Sequence, residues 1–333
     1  QADSIFNAGA MAKPLTAVAA LQLRERGLLQ LDDPAHAYLP PLADVTVGTM
    51  DDKGETLLRR EPARNPIRIR DLLCHTSGLV YGGWGRSIIH RMLPRGSAVS
   101  VHHTGAEFID QLAAAPLLHQ PGTTWDYGFG PDVLGLIIEK ISGMSLGEYW
   151  RRHIFAPLGM TASGTRLPPE LADRFTEPLP QDAGGPVLID PRRPMQFESG
   201  GACLWTTAED YLRFAVCLLN QGVLHANRVL ARPTVQQMVS DQREPGVDNR
   251  IAATDPTRSG YGFGLGVAVA TPRTVSEIVS PAGTFSWPSG SGTNWWADPS
   301  EELAVSFMAL TPGPIRWHYR KLVNALVYAA IDD

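Results

Sequence analysis

The chain has 333 residues, of which 44% are hydrophobic and 19% are charged, and its formal net charge is −5 at pH 7. This length allows one large domain or two adjoining ones with a sizeable apolar core. The mild acidity and the scattered basic residues argue against a nucleic-acid partner. We expect no membrane helix, because no stretch approaches about 18 uninterrupted apolar residues, and no signal peptide, which slightly favours the cytoplasm.

Metal and nucleotide motifs are missing from the sequence. Cys74, Cys203 and Cys217 form no Cys-x-x-Cys or Cys/His ligand spacing and are expected to be buried free thiols. His102 and His103 are adjacent and would point to different sides of a helix or strand. Dinucleotide, P-loop and zincin motifs do not occur. We therefore expect neither a metal nor a cofactor.

The first half of the chain begins with a strong helical pattern at residues 10–26, with Pro14 in its first turn and Gly27 as its stop. Apolar residues cover most sides of this segment, so the helix should be buried. The polar stretch from Thr46 to Arg60 predicts a hairpin, and residues 68–74 begin a second helix.

From about residue 69 to residue 199 the patterns are helices separated by Gly/Pro loops. The loop 161–196 is long, and such loops usually border or cover a site. Two further helical patterns follow residue 200, then two apolar alternating runs and a closing helix at HYRKLVNALVYAAI. This order predicts an α/β layer interrupted by a helical insertion.

Lysine is scarce in this chain, and one of the four lysines is placed unusually. Lys13 lies in the first turn of the most apolar predicted helix. Either its stem reaches the surface, or its amine is buried and has a chemical role. The lysine alone leaves both alternatives open.

The segment around this lysine, FNAGAMAKPLTAVAALQLRERGLLQLDDPAHAYLP, resembles the start of the serine β-lactamase-related family. That family includes penicillin-binding proteins, cephalosporin-hydrolysing β-lactamases and β-lactamase-like carboxylesterases. Further matches follow in order: LLCHTSGL, PGTTWDYGFGPDVLGLIIEKISG, FESGGACLWTTAEDYLRFAVCLLNQG and WPSGSGTNWWADP. Several ordered landmarks are far more specific than one motif. The resemblance implies an antiparallel sheet flanked by helices, formed by residues 1–68 and 200–333, with a mostly helical inserted domain at residues 69–199.

The chain departs from the family at its centre. The nucleophilic serine of the Ser-x-x-Lys motif is replaced by Ala10, three residues before Lys13. One explanation is an inactivating Ser→Ala change that holds a substrate uncleaved, and retention of Lys13 and Tyr127 favours it. The other is a natural pseudoenzyme that binds a ligand without turnover.

The resemblance also implies the roles of other residues. With a serine at position 10, Lys13 and Tyr127 would move the proton, and the backbone N–H groups of residue 10 and Gly290 would hold the oxyanion. Substrate-binding side chains would be Phe129, Trp287, Ser289, Trp84 and Trp125.

The second and third motifs depart from the β-lactam-processing pattern. Tyr127-Gly128-Phe129 lacks the family's Tyr-x-Asn amide, and Trp287-Pro288-Ser289-Gly290 lacks its Lys-Thr-Gly cation. This weakens a β-lactamase or peptidase reading and favours a carboxylesterase acting on a small hydrophobic ester. An acyltransferase with the same chemistry is not distinguished. Because Pro288 donates no ladder hydrogen bond, we expect it on an edge strand.

The position of the motif raises a further expectation. Family members carry some tens of residues before the nucleophile, including a helix and the first strands of the sheet, whereas here the motif begins at residue 10. We expect that portion to be missing or supplied by another polypeptide, which would leave an open sheet edge. The oligomeric state does not follow from the sequence.

Overall fold

The computed structural model describes residues 1–179, 182 and 184–332. A five-stranded antiparallel sheet is formed, from one edge to the other, by Leu303–Phe307, Asn294–Asp298, Phe285–Ser286, Ala268–Val269 and Gly262–Phe263. The strands are β1 Phe6–Asn7, β2 Thr46–Met50, β3 Leu57–Pro62, β4 Thr124–Trp125, β5 Trp205–Thr206, β6 Val223–Leu224, β7 Asn227–Arg228, β8 Asp248–Asn249, β9 Gly262–Phe263, β10 Ala268–Val269, β11 Phe285–Ser286, β12 Asn294–Asp298 and β13 Leu303–Phe307.

Twelve α-helices occur in the described part of the chain. They are α1 Ala12–Glu25, α2 Ile69–Leu73, α3 Ile88–Met92, α4 Ser97–Ser100, α5 Gly105–Ala114, α6 Gly130–Ser142, α7 Leu146–Trp150, α8 Ala156–Leu158, α9 Ala208–Leu219, α10 Arg232–Met238, α11 Ile251–Thr254 and α12 Ile315–Ala329. A π-helical turn, Arg151–Phe155, joins α7 to α8. None of the described helices is long and apolar enough to cross a membrane.

Adjacent tryptophans on β12 show how helices cover both faces of the sheet. Successive strand residues point to opposite faces. The Trp295 ring lies 5.5 Å from the ring of Tyr211 on α9, whereas the Trp296 ring stacks on Tyr328 of α12 at 6.4 Å. The predicted fold class, an antiparallel sheet flanked by helices, is therefore confirmed.

Residues 69–199 and the sheet share one apolar core. A hydrophobic cluster contains residues of α1, of α6 and of the sheet strands, including Leu15, Ile137 and Phe285. The hairpin predicted between Thr46 and Arg60 is formed by β2 and β3. The predicted loop 161–196 contains a short 3₁₀ turn, Pro169–Arg174, and its residues 180, 181 and 183 lie outside the described part.

Candidate active site

Ala10 lies in a 3₁₀ turn, Gly9–Met11, that leads directly into α1. The helix thus begins two residues later than predicted. Gly9 has φ +43°, a left-handed conformation that glycine adopts without strain, and a Cβ there would lie 2.6 Å from Ser289 Oγ. The turn places Ala10 at a cavity of about 280 Å³, lined by the turn itself, by parts of residues 69–199 and by the segment that follows β11.

The Lys13 side chain is buried, with 2% of its surface exposed, and it lines the same cavity. Its Nζ donates to the carbonyl of Gly201 at 2.6 Å and to the hydroxyl of Tyr81 at 3.2 Å. Its Nζ also lies over the ring of Tyr127, 4.7 Å from the centroid. Of the two alternatives for this lysine, the structure shows the buried amine.

Tyr81 was not identified from the sequence as a site residue. Its hydroxyl accepts from Lys13 and donates to Asp132 Oδ2 at 3.3 Å, and Ser199 Oγ donates to the other Asp132 oxygen. Burial and the nearby Asp132 carboxylate raise the pKa of Tyr81 well above 10, and burial raises the pKa of Asp132. The one sequence signal for Tyr81 is its place two residues after the LLCHTSGL segment. Lys13, Tyr81 and Asp132 thus form a continuous buried polar chain.

Tyr127 follows β4 and faces the cavity beside Trp287. The Trp287 indole N–H donates to the Tyr127 hydroxyl at 3.4 Å, and the two rings lie 5.3 Å apart. Tyr127 therefore contacts Lys13 through its ring face, while Tyr81 contacts Lys13 through its hydroxyl. Both phenols lie beside the amine.

His75 supports the Tyr127 segment from behind. Its ring packs 5.0 Å from Tyr127 and 5.6 Å from Trp125, and its Nδ1 accepts from the N–H of Gly128 at 3.4 Å. Burial, reinforced by the nearby Lys13 charge, lowers the pKa of His75 well below 6.5. The folded protein therefore holds this imidazole neutral.

The neutral His75 makes stability depend on pH. As the pH falls through about 6.5, His75 takes up a proton in the unfolded chain but not in the folded chain. Its contribution to the free energy of unfolding is therefore present above pH 6.5. Below that pH the free energy of unfolding falls by up to about 1.4 kcal/mol per pH unit. We expect His75→Asn to flatten the fall in unfolding free energy between pH 6.5 and 5, measured by denaturant titration. Asparagine tolerates the φ of +55° at this position. The exposed His225, with φ +52°, gives the matched control His225→Asn. Equal pH slopes for His75→Asn and the unmodified chain would contradict the assignment.

Both residues expected to supply oxyanion donors line the cavity, but their N–H groups differ in whether they already donate a hydrogen bond. The N–H of Ala10 donates to Ser289 Oγ at 3.2 Å, whereas among the described residues the N–H of Gly290 has no acceptor. Arg320 donates to the carbonyl of Ser289. The Ser289 carbonyl and the Gly290 N–H belong to one trans peptide and point in opposite directions. By holding the carbonyl, Arg320 therefore keeps the Gly290 N–H pointing away from the guanidinium.

The predicted edge position of Pro288 was wrong. β11 is an inner strand between β10 and β12, and Pro288 lies beyond its last strand residue, Ser286. Because Pro288 is outside the ladder, its missing N–H leaves no strand hydrogen bond unmade.

The five expected substrate-binding residues divide into two groups. Trp84, Trp287 and Ser289 line the cavity, and Trp84 is 44% exposed. Trp125 and Phe129 are fully buried, do not line it, and pack against its aromatic wall. These two are core residues, because their rings pack behind Tyr81 and Tyr127 and do not reach the cavity.

Two other kinds of candidate nucleophile, the serine of a second motif and the cysteines, lie outside the cavity. A Gly-x-Ser-x-Gly sequence occurs at residues 143–147, but Ser145 caps α7, accepting from the N–H of Glu148, and lies outside the cavity. The three cysteines are buried and unpaired, and burial raises their pKa values. The described residues contain no His/Cys/Asp/Glu cluster suited to a metal ion.

Comparisons with known proteins identify relatives of this chain. An uncharacterized protein of Mycobacterium tuberculosis is 35% identical over 322 residues, covering 92% of this chain and 78% of the relative. The lovastatin esterase of Penicillium rubens is 31% identical over 330 residues, covering 91% and 78%. Other relatives are named as esterases and acyltransferases.

The fold agrees as well. The solved structure of EstCE1, described as a hydrolase with promiscuous acyltransferase activity, matches with a TM-score of 0.77 at 24% identity, covering 98% of this chain and 86% of that one. The family model described as Beta-lactamase matches residues 1–328. The chain belongs to the β-lactamase family, among relatives that include esterases and acyltransferases.

Proposed function

We propose that this chain is the catalytic framework of an esterase that works through an acyl-enzyme at position 10, arrested here because residue 10 is alanine. One observation carries the proposal. The Lys13 amine is buried in the cavity, three residues after Ala10, and is held by Tyr81 and Gly201 beside Tyr127. A buried amine needs such partners, and in this place it can take a proton from a hydroxyl at position 10.

The proposed reaction starts with a serine at position 10. Its oxygen attacks the ester carbonyl and forms a carbon–oxygen bond, while its proton passes to Lys13 with the phenol of Tyr127 alongside. The tetrahedral oxyanion accepts from the N–H groups of residues 10 and 290, and to do so it displaces the Ser289 hydroxyl from the first of them. The carbon–oxygen bond to the leaving alcohol breaks as the Tyr127 phenol donates its proton to the alcohol oxygen and takes up the proton held by Lys13. Water then repeats the steps and releases the acid.

The second motif favours an ester over a peptide or β-lactam. Phe129 stands where the β-lactam-processing branches carry an asparagine, and it is fully buried outside the cavity. A substrate amide would therefore lack that amide-to-amide hydrogen bond. Trp84, Tyr127 and Trp287 give the cavity aromatic surface suited to an apolar part of an ester.

Covalent labelling tests the proposal. Ala10→Ser is expected to react with a fluorophosphonate in a one-to-one ratio, seen as an intact-mass increase that maps to the peptide containing residue 10. The unmodified chain is the control and should stay unlabelled. A folded Ala10→Ser protein that never gains the label would remove the acyl-enzyme proposal.

Acyl transfer is the alternative that shares this chemistry, and the relatives named as acyltransferases support it. It differs only in the group that attacks the acyl-enzyme. Product analysis of Ala10→Ser in water with an added alcohol separates the two. We expect free acid as the main product, and a predominance of the new ester would favour the transferase.

A further inference from the structure

Asp132 is a buried carboxylate that the proposed reaction does not use. It lies in the first turn of α6, is 0% exposed, and accepts hydrogen bonds from Ser199 and from the Tyr81 hydroxyl. Both donors are hydroxyl groups. The N-terminus of a helix favours a carboxylate, but burial of a charge without a counter-ion destabilises a fold. The position of Asp132 therefore requires a partner of opposite charge.

The Lys13 amine lacks a counter-ion in the same way. Its two acceptors, the Gly201 carbonyl at 2.6 Å and the Tyr81 hydroxyl at 3.2 Å, are both neutral. The Tyr81 hydroxyl also donates to Asp132 Oδ2 at 3.3 Å, so one hydroxyl connects the amine to the carboxylate. The two groups are therefore no more than about 6.5 Å apart, and opposite charges at this separation in a buried site stabilise each other. Burial raises the pKa of Asp132, and the Lys13 charge opposes this rise.

Asp132 also holds the second acceptor of Lys13. Ser199 Oγ donates to Asp132. The same oxygen accepts from the N–H groups of Gly201 and Ala202 at 3.2 and 3.0 Å. The Gly201 peptide lies directly against the carboxylate, since a Cβ on Gly201 would be 2.5 Å from Asp132 Oδ2. One carboxylate thus fixes both groups that accept from the Lys13 amine, one of them directly and the other through Ser199.

The other titratable groups near Lys13 do not supply the negative charge. Besides Lys13 and Tyr81, the titratable side chains that line the cavity are Tyr127, Asp255, Arg95, Arg316 and Arg320. Asp255 is the acid among them, and it pairs with Arg320 at 3.3 Å. Burial lowers the pKa of His75 and raises the pKa of the Cys203 thiol, so both groups are neutral. Among the described groups, the carboxylate connected to Lys13 is that of Asp132.

We propose that Asp132 is a positioning residue that serves as the charge partner of Lys13 and sets the pH range in which the amine holds a proton. It acts through Tyr81 and Ser199. This deepens the proposed function and rests on it for the role of Lys13 as a base, whereas the charge pair itself needs no substrate. In the proposed reaction Lys13 takes up the proton of the attacking hydroxyl, and the positive charge then forms near Asp132. The carboxylate stabilises that charge, as a third group does when it orients a catalytic base.

Lysine titration by NMR tests the charge pair on the unmodified chain. The chain has four lysines, so ¹³Cε-labelled lysine gives four signals, and Lys53→Gln, Lys140→Gln and Lys321→Gln identify the three that do not belong to Lys13. We expect Asp132→Asn to move the titration midpoint of the Lys13 signal to lower pH by on the order of one pH unit, because loss of a nearby negative charge disfavours the protonated amine. The same pH dependence of this signal in both proteins would overturn the proposal.

A second buried acid gives the matched control. Asp210, on α9, is 5% exposed, lies outside the cavity and also accepts hydrogen bonds. Asp210→Asn should leave the Lys13 titration unchanged, and an equal shift in the two variants would show a general effect and overturn the proposal. If Asp132→Asn does not fold, Tyr81→Phe removes the connecting hydroxyl and should shift the Lys13 signal in the same direction. An unmoved signal in Tyr81→Phe would likewise contradict the charge pair.

Catalysis gives a second readout. In the Ala10→Ser protein, Asp132→Asn is expected to move the acidic limb of the kcat/KM profile to lower pH. It should also lower kcat by about tenfold, because a weaker base accepts the proton less readily. KM should change little, since Asp132 does not line the cavity. A merely structural role of Asp132 would lower the yield of folded protein and leave the acidic limb in place.

Failure of the charge pair and failure of the esterase are distinguishable. A shifted Lys13 signal in Asp132→Asn, with no ester cleavage by Ala10→Ser, would keep the charge pair and remove the esterase. Ester cleavage whose acidic limb is the same with and without Asp132→Asn would keep the esterase and remove the charge pair.

Discussion

Ala10→Ser is expected to raise the turnover of p-nitrophenyl butyrate by on the order of 10⁶ over the unmodified chain. Loss of a catalytic serine in an acyl-enzyme catalyst costs about this factor, because the remaining groups act only through it. In this chain the remaining groups are in place: Lys13 is buried in the cavity, Tyr127 lies against it, and the Gly290 N–H has no described acceptor.

The control for this substitution introduces the same hydroxyl elsewhere in the cavity. Ala202 also lines it, and Ala202→Ser should leave turnover at the level of the unmodified chain. Steady-state release of p-nitrophenol measures both variants, and a chromogenic cephalosporin should be cleaved far more slowly than the ester by Ala10→Ser. If Ala10→Ser folds and is no faster than Ala202→Ser, position 10 is not a disabled nucleophile and the pseudoenzyme explanation is correct.

Lys13→Met in the Ala10→Ser protein is expected to lower kcat by about 10⁴, with a small change in KM. A positioned general base contributes up to about this factor, and methionine keeps the length of the side chain without the amine. The change also leaves the Tyr81 hydroxyl and the Gly201 carbonyl without their Lys13 donor, which costs about 1–3 kcal/mol of unfolding free energy. Initial rates at saturating ester measure the loss of kcat, and thermal melts of the same samples measure the loss of stability.

Two further variants make the role of Lys13 specific. Lys140→Met removes an exposed lysine near the end of α6 and should leave kcat unchanged. Lys13→Arg keeps the positive charge, but a guanidinium does not act as a base near neutral pH. A Lys13→Arg protein with nearly full turnover would show that residue 13 acts through its charge and not as a base.

Local sequence patterns were sufficient to predict the family, the fold class and most of the helices and strands. Helical periodicity placed α1, α6 and α9, and alternation placed the strands on either side of the turn after β12. These features depend on near neighbours along the chain, so one sequence reveals them. The ordered landmarks likewise placed Lys13, Tyr127 and Gly290 at one cavity.

Other features depend on which side chains meet across the fold. Tyr81 was missed, and Trp125 and Phe129 were expected at the substrate, because an aromatic residue in a motif has the same appearance whether it faces a cavity or the core. The difference arises only when α5 and the sheet close around them.

The sequence by itself determined the family, the Ala10 departure and the residues available for chemistry. The tertiary structure decided which of them act together: it buried the Lys13 amine against Tyr81, and it placed the Asp132 carboxylate at the same hydroxyl. The physical reason is the separation along the chain between the residues that are in contact. Periodicity and motifs report contacts within a few residues, whereas the buried Lys13 side chain is held by a partner 188 residues away, the carbonyl of Gly201.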